Sequence, residues 1–310
     1  MATKIIHTKN LRWVDIVNPD NEDLLYLKNN FKFHPLDFED IVATSTRTKI
    51  DEYDAYHFII LLFPYFNTEL QEIRPAEVDF FVGKDYLITI HDGSMKTLSN
   101  LIKNVAAYDN VRTEYMGLNA GFLLFSILEL LFKRSFPILD KINKEIAQAG
   151  KEAFELDLIT LHKLAKLKRN IIMYRRIMKM HKFILTKLAY NKREYMMFRD
   201  SKVYFQNLIE TAENIWDVLA SDKESVESFE DTNQSLASHN INRVLQILTI
   251  LSVVIATVTM ITDIMIFFER VNIEKYLGLT SDLQLVILVT AVQFLIVGGM
   301  LLLFRRKRWL

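Results

Sequence analysis

The sequence predicts an α/β domain followed by very long helices that end in two membrane-spanning helices. Three observations predict this. Val244–Phe268 is a run of 25 residues with one ionisable side chain, Asp263, and the second apolar run, Leu283–Phe304, has none. Proline is absent after Pro137, and glycine is absent from Lys151 to Leu277, which removes the two strongest helix breakers from that stretch. The first 110 residues instead alternate short aromatic and branched runs with turn signals, the pattern of strands and short helices.

Composition bounds what such a chain does. It has 310 residues, 50% hydrophobic and 25% charged, with 38 basic and 38 acidic side chains. That length suits two domains, or one domain with an extension, and the hydrophobic fraction excludes disorder. A formal charge of zero argues against a general nucleic-acid binder, which carries a basic excess. With no cysteine, disulfides, thiolate catalysis and cysteine-held metals are excluded.

The elements follow in order. Met1–Asn10 has no apolar stretch, so no signal peptide is expected. Asn18-Pro19-Asp20 and His34-Pro35-Leu36-Asp37 are read as helix starts with proline just inside. Asp51–Phe66 and Pro75–His91 are read as strand runs, with Val82-Gly83-Lys84-Asp85 as a hairpin turn. These elements make residues 1–112 an α/β domain, and residues 113–243 are assigned to long helices. Within Val203–Leu248, apolar residues fall in heptad rows: Phe205, Ala212, Leu219, Val226 and Leu208, Ile215, Phe229, Leu236, interrupted by Asp222 and Asn233. A helix from about Met196 through Phe268 would be on the order of 110 Å long. A lone rod of that length is not stable in water, so oligomerisation about its axis is expected.

Residues 244–268 and 283–304 each exceed the roughly 30 Å hydrocarbon core when helical. The connection 269–282 carries three acids and two bases, while Arg305, Arg306, Lys307 and Arg308 follow the second span in the basic tail 305–310. The positive-inside rule then puts both termini in the cytoplasm and the connection outside. Charge is also partitioned in the long helices. His162–Glu194 holds eleven Lys/Arg and one Glu, and Asp200–Thr232 holds nine acids and two Lys. Two readings stay open: solvated faces of long helices, or opposed fields that guide a cation toward a pore.

At this point the chain resembles the CorA family of divalent-cation channels, which carry magnesium, cobalt and nickel. The stretches that carry the resemblance are Trp13-Val14-Asp15-Ile16, His34-Pro35-Leu36-Asp37-Phe38-Glu39-Asp40-Ile41, Arg47-Thr48-Lys49-Ile50-Asp51-Glu52-Tyr53 and Phe81–Thr89. Phe136-Pro137-Ile138-Leu139, the two spans and the basic run ending in Trp309-Leu310 complete it. The resemblance implies a funnel-shaped homopentamer in the cytoplasmic membrane: a cytoplasmic α/β domain, a stalk helix continuing into a pore-lining first span, and an outer second span.

The departure from the family is at its signature. The Gly-Met-Asn triplet at the outer end of the first span is absent, and the gapless register puts Ile266, Phe267 and Phe268 there. In the family the Asn ring offers carbonyl oxygens to hydrated magnesium, which sheds its water reluctantly; a phenylalanine ring offers none. Residues spaced three and four apart make one helical face: Asn242, Leu245, Thr249, Ser252, Ala256, Thr259, Asp263 and Ile266. The resemblance turns that face to the pore, with Asn242 as a polar ring and Leu245 and Leu248 as an apolar gate. An intramembrane carboxylate is a functional candidate by default, and five copies of Asp263 would make a cation-selecting ring. An interhelical hydrogen bond and snorkelling to the outer interface are the competing readings of Asp263. Thr259 and Thr262 are read as back-bonding hydroxyls ahead of ligands. Glu269, Glu274 and Asp282 are candidates for attracting cations outside, or are ordinary loop acids.

The resemblance also implies inhibitory metal binding between subunits. Its stalk-side aspartate falls on Asn207, which ligates without charge, so affinity should drop. Asp200, Glu210 and Glu213 lie one or two turns away, and Asp231 matches a family acid nearer the membrane. No Gly-rich phosphate loop, His-Glu-x-x-His or Gly-x-Ser-x-Gly occurs, so neither an enzyme nor an organic cofactor is expected. The expectation is a channel for a divalent cation, magnesium first and cobalt or nickel next, driven by membrane potential, with the bilayer and its own copies as partners and no nucleic acid. The alternatives are a zinc or other transition-metal transporter coupled to protons through Asp263, and a non-conducting pentameric metal sensor or scaffold.

Overall fold

The computed structural model describes residues 3–43, 47–152, 158–270 and 282–307. The chain divides into two compact units, Met1–Asp231 and Thr232–Leu310.

The first unit is built on a six-stranded sheet. Its strands are β1 (Thr3–His7), β2 (Arg12–Val17), β3 (Lys49–Glu52), β4 (Tyr56–Asn67), β5 (Glu72–Gly83) and β6 (Tyr86–His91). They lie in the order β1-β2-β6-β5-β4-β3. All pairs are antiparallel except β2 with β6, where Trp13 lies beside Leu87 and Ile16 beside Ile90. The turn at Val82–Asp85 joins β5 to β6 as expected, and Gly83 is required there because a Cβ would run into the Tyr86 ring.

Asp51–Phe66, read as one strand run, is a hairpin: β3 ends at Glu52 and β4 begins at Tyr56. Asp54 and its neighbours offered no glycine or proline to mark the turn. β5 also starts three residues before Pro75. Pro64 and Pro75 stand opposite each other in the β4–β5 ladder. They are tolerated because β3 pairs only as far as Ile60 and β6 only as far as Val78. Beyond those points the hairpin has no outer neighbours needing the missing N–H groups.

Two helices cover one face of the sheet. In α1 (Asn21–Asn30) Asp20 is the N-cap in a capping box with Asp23, so Pro19 lies just outside the helix instead of just inside it. In α2 (Pro35–Val42) Pro35 sits in the first turn and His34 Nδ1 accepts the Leu36 N–H at 3.3 Å. Val14, Ile16, Leu27, Phe31, Phe58, Ile60, Phe81 and Ile88 form the core on that side. The opposite face carries α3 (Lys96–Ala107), α4 (Asp109–Met116), α5 (Ala120–Glu152), α6 (Leu158–Met178) and α7 (His181–Ala189). There Trp13, Ile59, Phe63, Phe80 and Leu87 join Leu123, Leu128 and Phe132 of α5 in the larger core. Pro137 lies within α5.

The helix α8 (Ser201–Arg270) is 70 residues long. Its first heptad rows explain themselves within one chain: Phe205, Leu208, Ala212, Ile215, Leu219 and Val226 are buried in the larger core. Phe205 packs on Phe125, and Arg175 lies 4.6 Å over the Trp216 ring. These rows are therefore filled by helices of the same chain, and the oligomerisation expected from the helix's length does not rest on them. Both predicted polar interruptions, Asp222 and Asn233, are buried.

The second unit holds the remainder of α8 and the helix α9 (Asp282–Arg306). Windows of these two helices have mean hydropathies of 2.4 and 2.5, long and apolar enough to cross a membrane. Leu245, Leu248, Leu251, Ile255, Met260, Phe294, Leu295 and Leu302 are all exposed in the single chain. An apolar surface of that size does not persist in water.

Candidate functional site

The face proposed from spacing is regular helix throughout, with Asn242, Leu245, Thr249, Ser252, Ala256, Thr259 and Asp263 all exposed. Ala256, Thr259, Met260, Asp263, Ile264 and Phe267 line a single open groove. Leu248, 56% exposed, flanks Leu245.

The hydroxyls on this face are committed in one direction. Thr249 donates to the Leu245 carbonyl at 2.8 Å, Ser252 to Leu248 at 2.8 Å and Thr259 to Ile255 at 2.9 Å. This is the usual i−4 bond of hydroxyls in apolar helices. With its proton spent on the backbone, each oxygen has only acceptor lone pairs left to offer. A row of acceptors on the N-terminal side of a carboxylate, Thr249, Ser252 and Thr259 before Asp263, suits a cation or its water shell.

The helix α9 lies on a different side. Ile250, Val254, Thr257 and Ile261 are the less exposed residues of this stretch, centred roughly 140° around the helix from the Asn242–Asp263 row at about 100° per residue. Thr257 reaches Met300 Sδ at 3.6 Å. Gln293 Nε2 donates to Thr262 Oγ1 at 3.0 Å and to the Val258 carbonyl at 3.3 Å. The interhelical amide of the second span is thus spent one residue away from Asp263 and on another face. Gln293 and Thr262 were not singled out as a pair from sequence, although an amide deep in a charge-free span is a signal of helix-to-helix bonding. Thr262 also donates to the Val258 carbonyl at 2.9 Å.

Ile266 and Phe267, at the expected signature position, are 46% and 62% exposed. The side chains of Phe268, Glu269 and Asp282, and the whole of Glu274, lie outside the described residues.

The regulatory candidates divide. Asp200, Asn207 and Glu210 are exposed on the start of α8, whereas Asp231 projects from a different side of it. Asp200 holds a left-handed backbone (φ 58°) immediately before the helix and lies 3.6 Å from Arg199. Among the described residues no three His, Asp or Glu side chains converge on a metal-sized point.

Part of the charge in the two blocks is paired within the chain. Lys168 pairs with Glu230 at 2.6 Å and Glu227 at 3.5 Å, and Lys182 pairs with Glu213. The basic helices α6 and α7 thus face the acidic part of α8 directly, and these pairs weaken any long-range field from either block. Other polar clusters of the α/β domain are internal. Asp37 accepts from Tyr53 and Tyr56, and burial raises its carboxyl above the ordinary value. Asp15 accepts from Thr89 at 2.6 Å and lies 3.2 Å from His91.

These features coincide with one known family. Residues 8–306 match the family model described as CorA-like Mg2+ transporter protein. The chain belongs to this family. It is 24% identical over 302 residues to the cobalt/magnesium transport protein CorA of Thermotoga maritima, covering 96% of this chain and 83% of that one. It is 23% identical to the cobalt/magnesium transport protein CorA of Methanocaldococcus jannaschii, covering 97% and 92%. The solved structure of the CorA magnesium transporter from M. jannaschii superposes with a TM-score of 0.79 at 20% identity, over 98% of this chain and 94% of that one. The fold is therefore the CorA fold, and the protein is a membrane protein of a divalent-cation transporter family.

Proposed function

We propose that the chain forms a homopentameric channel that carries a divalent cation, magnesium first, passively across the cytoplasmic membrane. The observation that carries this reading is the Asn242–Asp263 face. It holds one carboxylate and a column of acceptor-only hydroxyls on a side of α8 that α9 leaves uncovered. Around a fivefold axis this face becomes a pore wall, with Asn242 and Thr249 as polar rings, Leu245 and Leu248 as an apolar gate, and Asp263 as the acidic ring below Ile266 and Phe267. The boundaries 244–268 and 283–304 for the spans, and cytoplasmic positions for both termini, belong to the same proposal. So do attraction of cations by Glu269, Glu274 and Asp282, and regulatory binding by Asp200, Asn207, Glu210 and Asp231 across subunits. An inside-negative potential supplies about 2.3 kcal/mol per charge per 100 mV, hence roughly double that for a divalent ion.

The test is Mg2+ entry into liposomes under an imposed potential, with Leu245→Ala and Asn242→Ala beside the wild type. Widening the apolar gate should raise flux several-fold, and removing the Asn ring should change the selectivity among Mg2+, Co2+ and Ni2+. Absence of flux of any divalent ion from intact oligomers would overturn conduction and leave the sensor reading.

The replaced signature favours one second reading, a transition-metal transporter coupled to protons at Asp263. Uptake of Zn2+ driven by a pH gradient at zero potential would select it.

A further inference from the structure

A crevice of about 290 Å³ opens on the α/β domain, on the sheet face that carries α1 and α2. Its floor is Leu62, Glu77, Asp79 and Ile90, and Asn18 and Asp92 stand at its rim. Glu77 and Asp79 are two apart on β5 and so point to one face of the sheet. No Lys or Arg is among the residues lining it.

Asp79 is the informative member. It is 3% exposed, lines the crevice, and its Oδ1 has no hydrogen-bond partner among the described residues. A buried carboxylate oxygen without a donor costs a large part of its desolvation energy. Lys49, a cation whose charge acts on Asp79, is already paired with Asp40 and with Asp51 at 2.5 Å. Glu77 and Asp40 add negative charge around Asp79, and burial, with Asp92 and Asp40 nearby, pushes the Glu77 carboxyl up to about 7. A fold that gathers acids around an orphaned carboxylate lacks a positive donor at that point.

We propose that this crevice binds one partly hydrated divalent cation within a single chain, held by Asp79 and Glu77 with Asp92 at its rim. No three His, Asp or Glu side chains among the described residues converge closely enough to ligate a bare ion. The ion is therefore held through one or two carboxylates and its own waters, the mode Mg2+ prefers. At about 30 Å³ per water the crevice has room for several. The site uses none of Asp200, Asn207, Glu210, Asp231 or Asp263, and it requires neither conduction nor a second subunit.

The test uses the full chain in detergent, with Mn2+ as the spectroscopic probe and Mg2+ as competitor. Electron paramagnetic resonance counts bound Mn2+ per chain for wild type, Asp79→Asn and Glu77→Gln. The expected result is one fewer Mn2+ per chain in each variant, and a Mg2+-dependent rise in Tm for the wild type that Asp79→Asn lacks. Asp79→Asn should also melt higher than the wild type without metal, because the orphaned charge is gone. Glu77→Gln, half-exposed, keeps the test valid should Asp79→Asn misfold. An unchanged Mn2+ count with the same Mg2+-dependent Tm shift in both variants would overturn the proposal. So would stabilisation of the wild type by spermidine and not by Mg2+.

Discussion

Asp222 interrupts a heptad row of α8 between Ile215 and Phe229, and burial raises its carboxyl to about 6 from an ordinary 3.8. Its Oδ2 has no partner among the described residues. The folded chain therefore holds the Asp222 proton more tightly than the unfolded chain does. Stability from this group is full below about pH 4, falls as pH rises from 4 through 6, and is lost above that range. Replacing it with leucine, Asp222→Leu, should stabilise the protein at pH 7.5 by on the order of 2 kcal/mol. It should also remove the pH 4–6 slope in denaturant unfolding. An unchanged slope in the variant would show that Asp222 is not the responsible group. At this scale the sequence was legible wherever spacing alone decides. Asp222 and Asn233 stand out from their heptad rows, and Asp263 from its span. The crevice around Asp79 was not legible, because it joins residues from the segment between β2 and α1 and from α2, β4, β5 and β6.

At the scale of elements, the start of α5 is fixed against the segment before α8. Gly121 donates to the Tyr195 carbonyl at 2.9 Å, and Asn119 Nδ2 donates to the Met197 carbonyl at 2.5 Å. A Cβ at Gly121 would fall inside the Met196 backbone, where no side-chain rotation relieves it. Gly121→Ala should therefore destabilise the α/β domain by about 2–3 kcal/mol, read as a lower Tm and earlier proteolysis after Arg193 or Lys192. A variant as stable as the wild type would mean that α5 shifts to make room. Long, strongly periodic elements were legible: α8 and α9 follow from the missing breakers and charge-free runs. The β3–β4 hairpin was not, since Tyr53-Asp54-Ala55 carries no turn signal. Nor was the destination of the heptads, because the same apolar rows serve a neighbouring helix of the chain or another copy. The structure buries them against α5 and α6, where Gly150 faces Phe229 and Lys168 meets Glu230. The same contacts pair part of the opposed charge blocks.

At the scale of the whole molecule, the family and fold are those of CorA, while the part of α8 beyond Asn233 is the least self-sufficient. Its apolar and polar faces both lie open in one chain, which is the reason to propose lipids and further copies around it, five chains in all on the proposed reading. Five chains of 36.4 kDa give about 182 kDa, a mass that light scattering of the detergent-solubilised protein should return after subtraction of detergent. A monomer or dimer would leave Asp263 without its ring.

The most direct measurement is potential-driven Mg2+ flux into liposomes for the wild type and Asp263→Ala, each first shown to be an intact pentamer. An acidic ring concentrates cations and sets their selectivity, so Asp263→Ala should lose at least tenfold in flux and discriminate less between Mg2+ and K+, whereas Thr259→Ala should change little. Equal flux and equal selectivity in Asp263→Ala would contradict the acidic ring as the replacement for the missing Gly-Met-Asn filter.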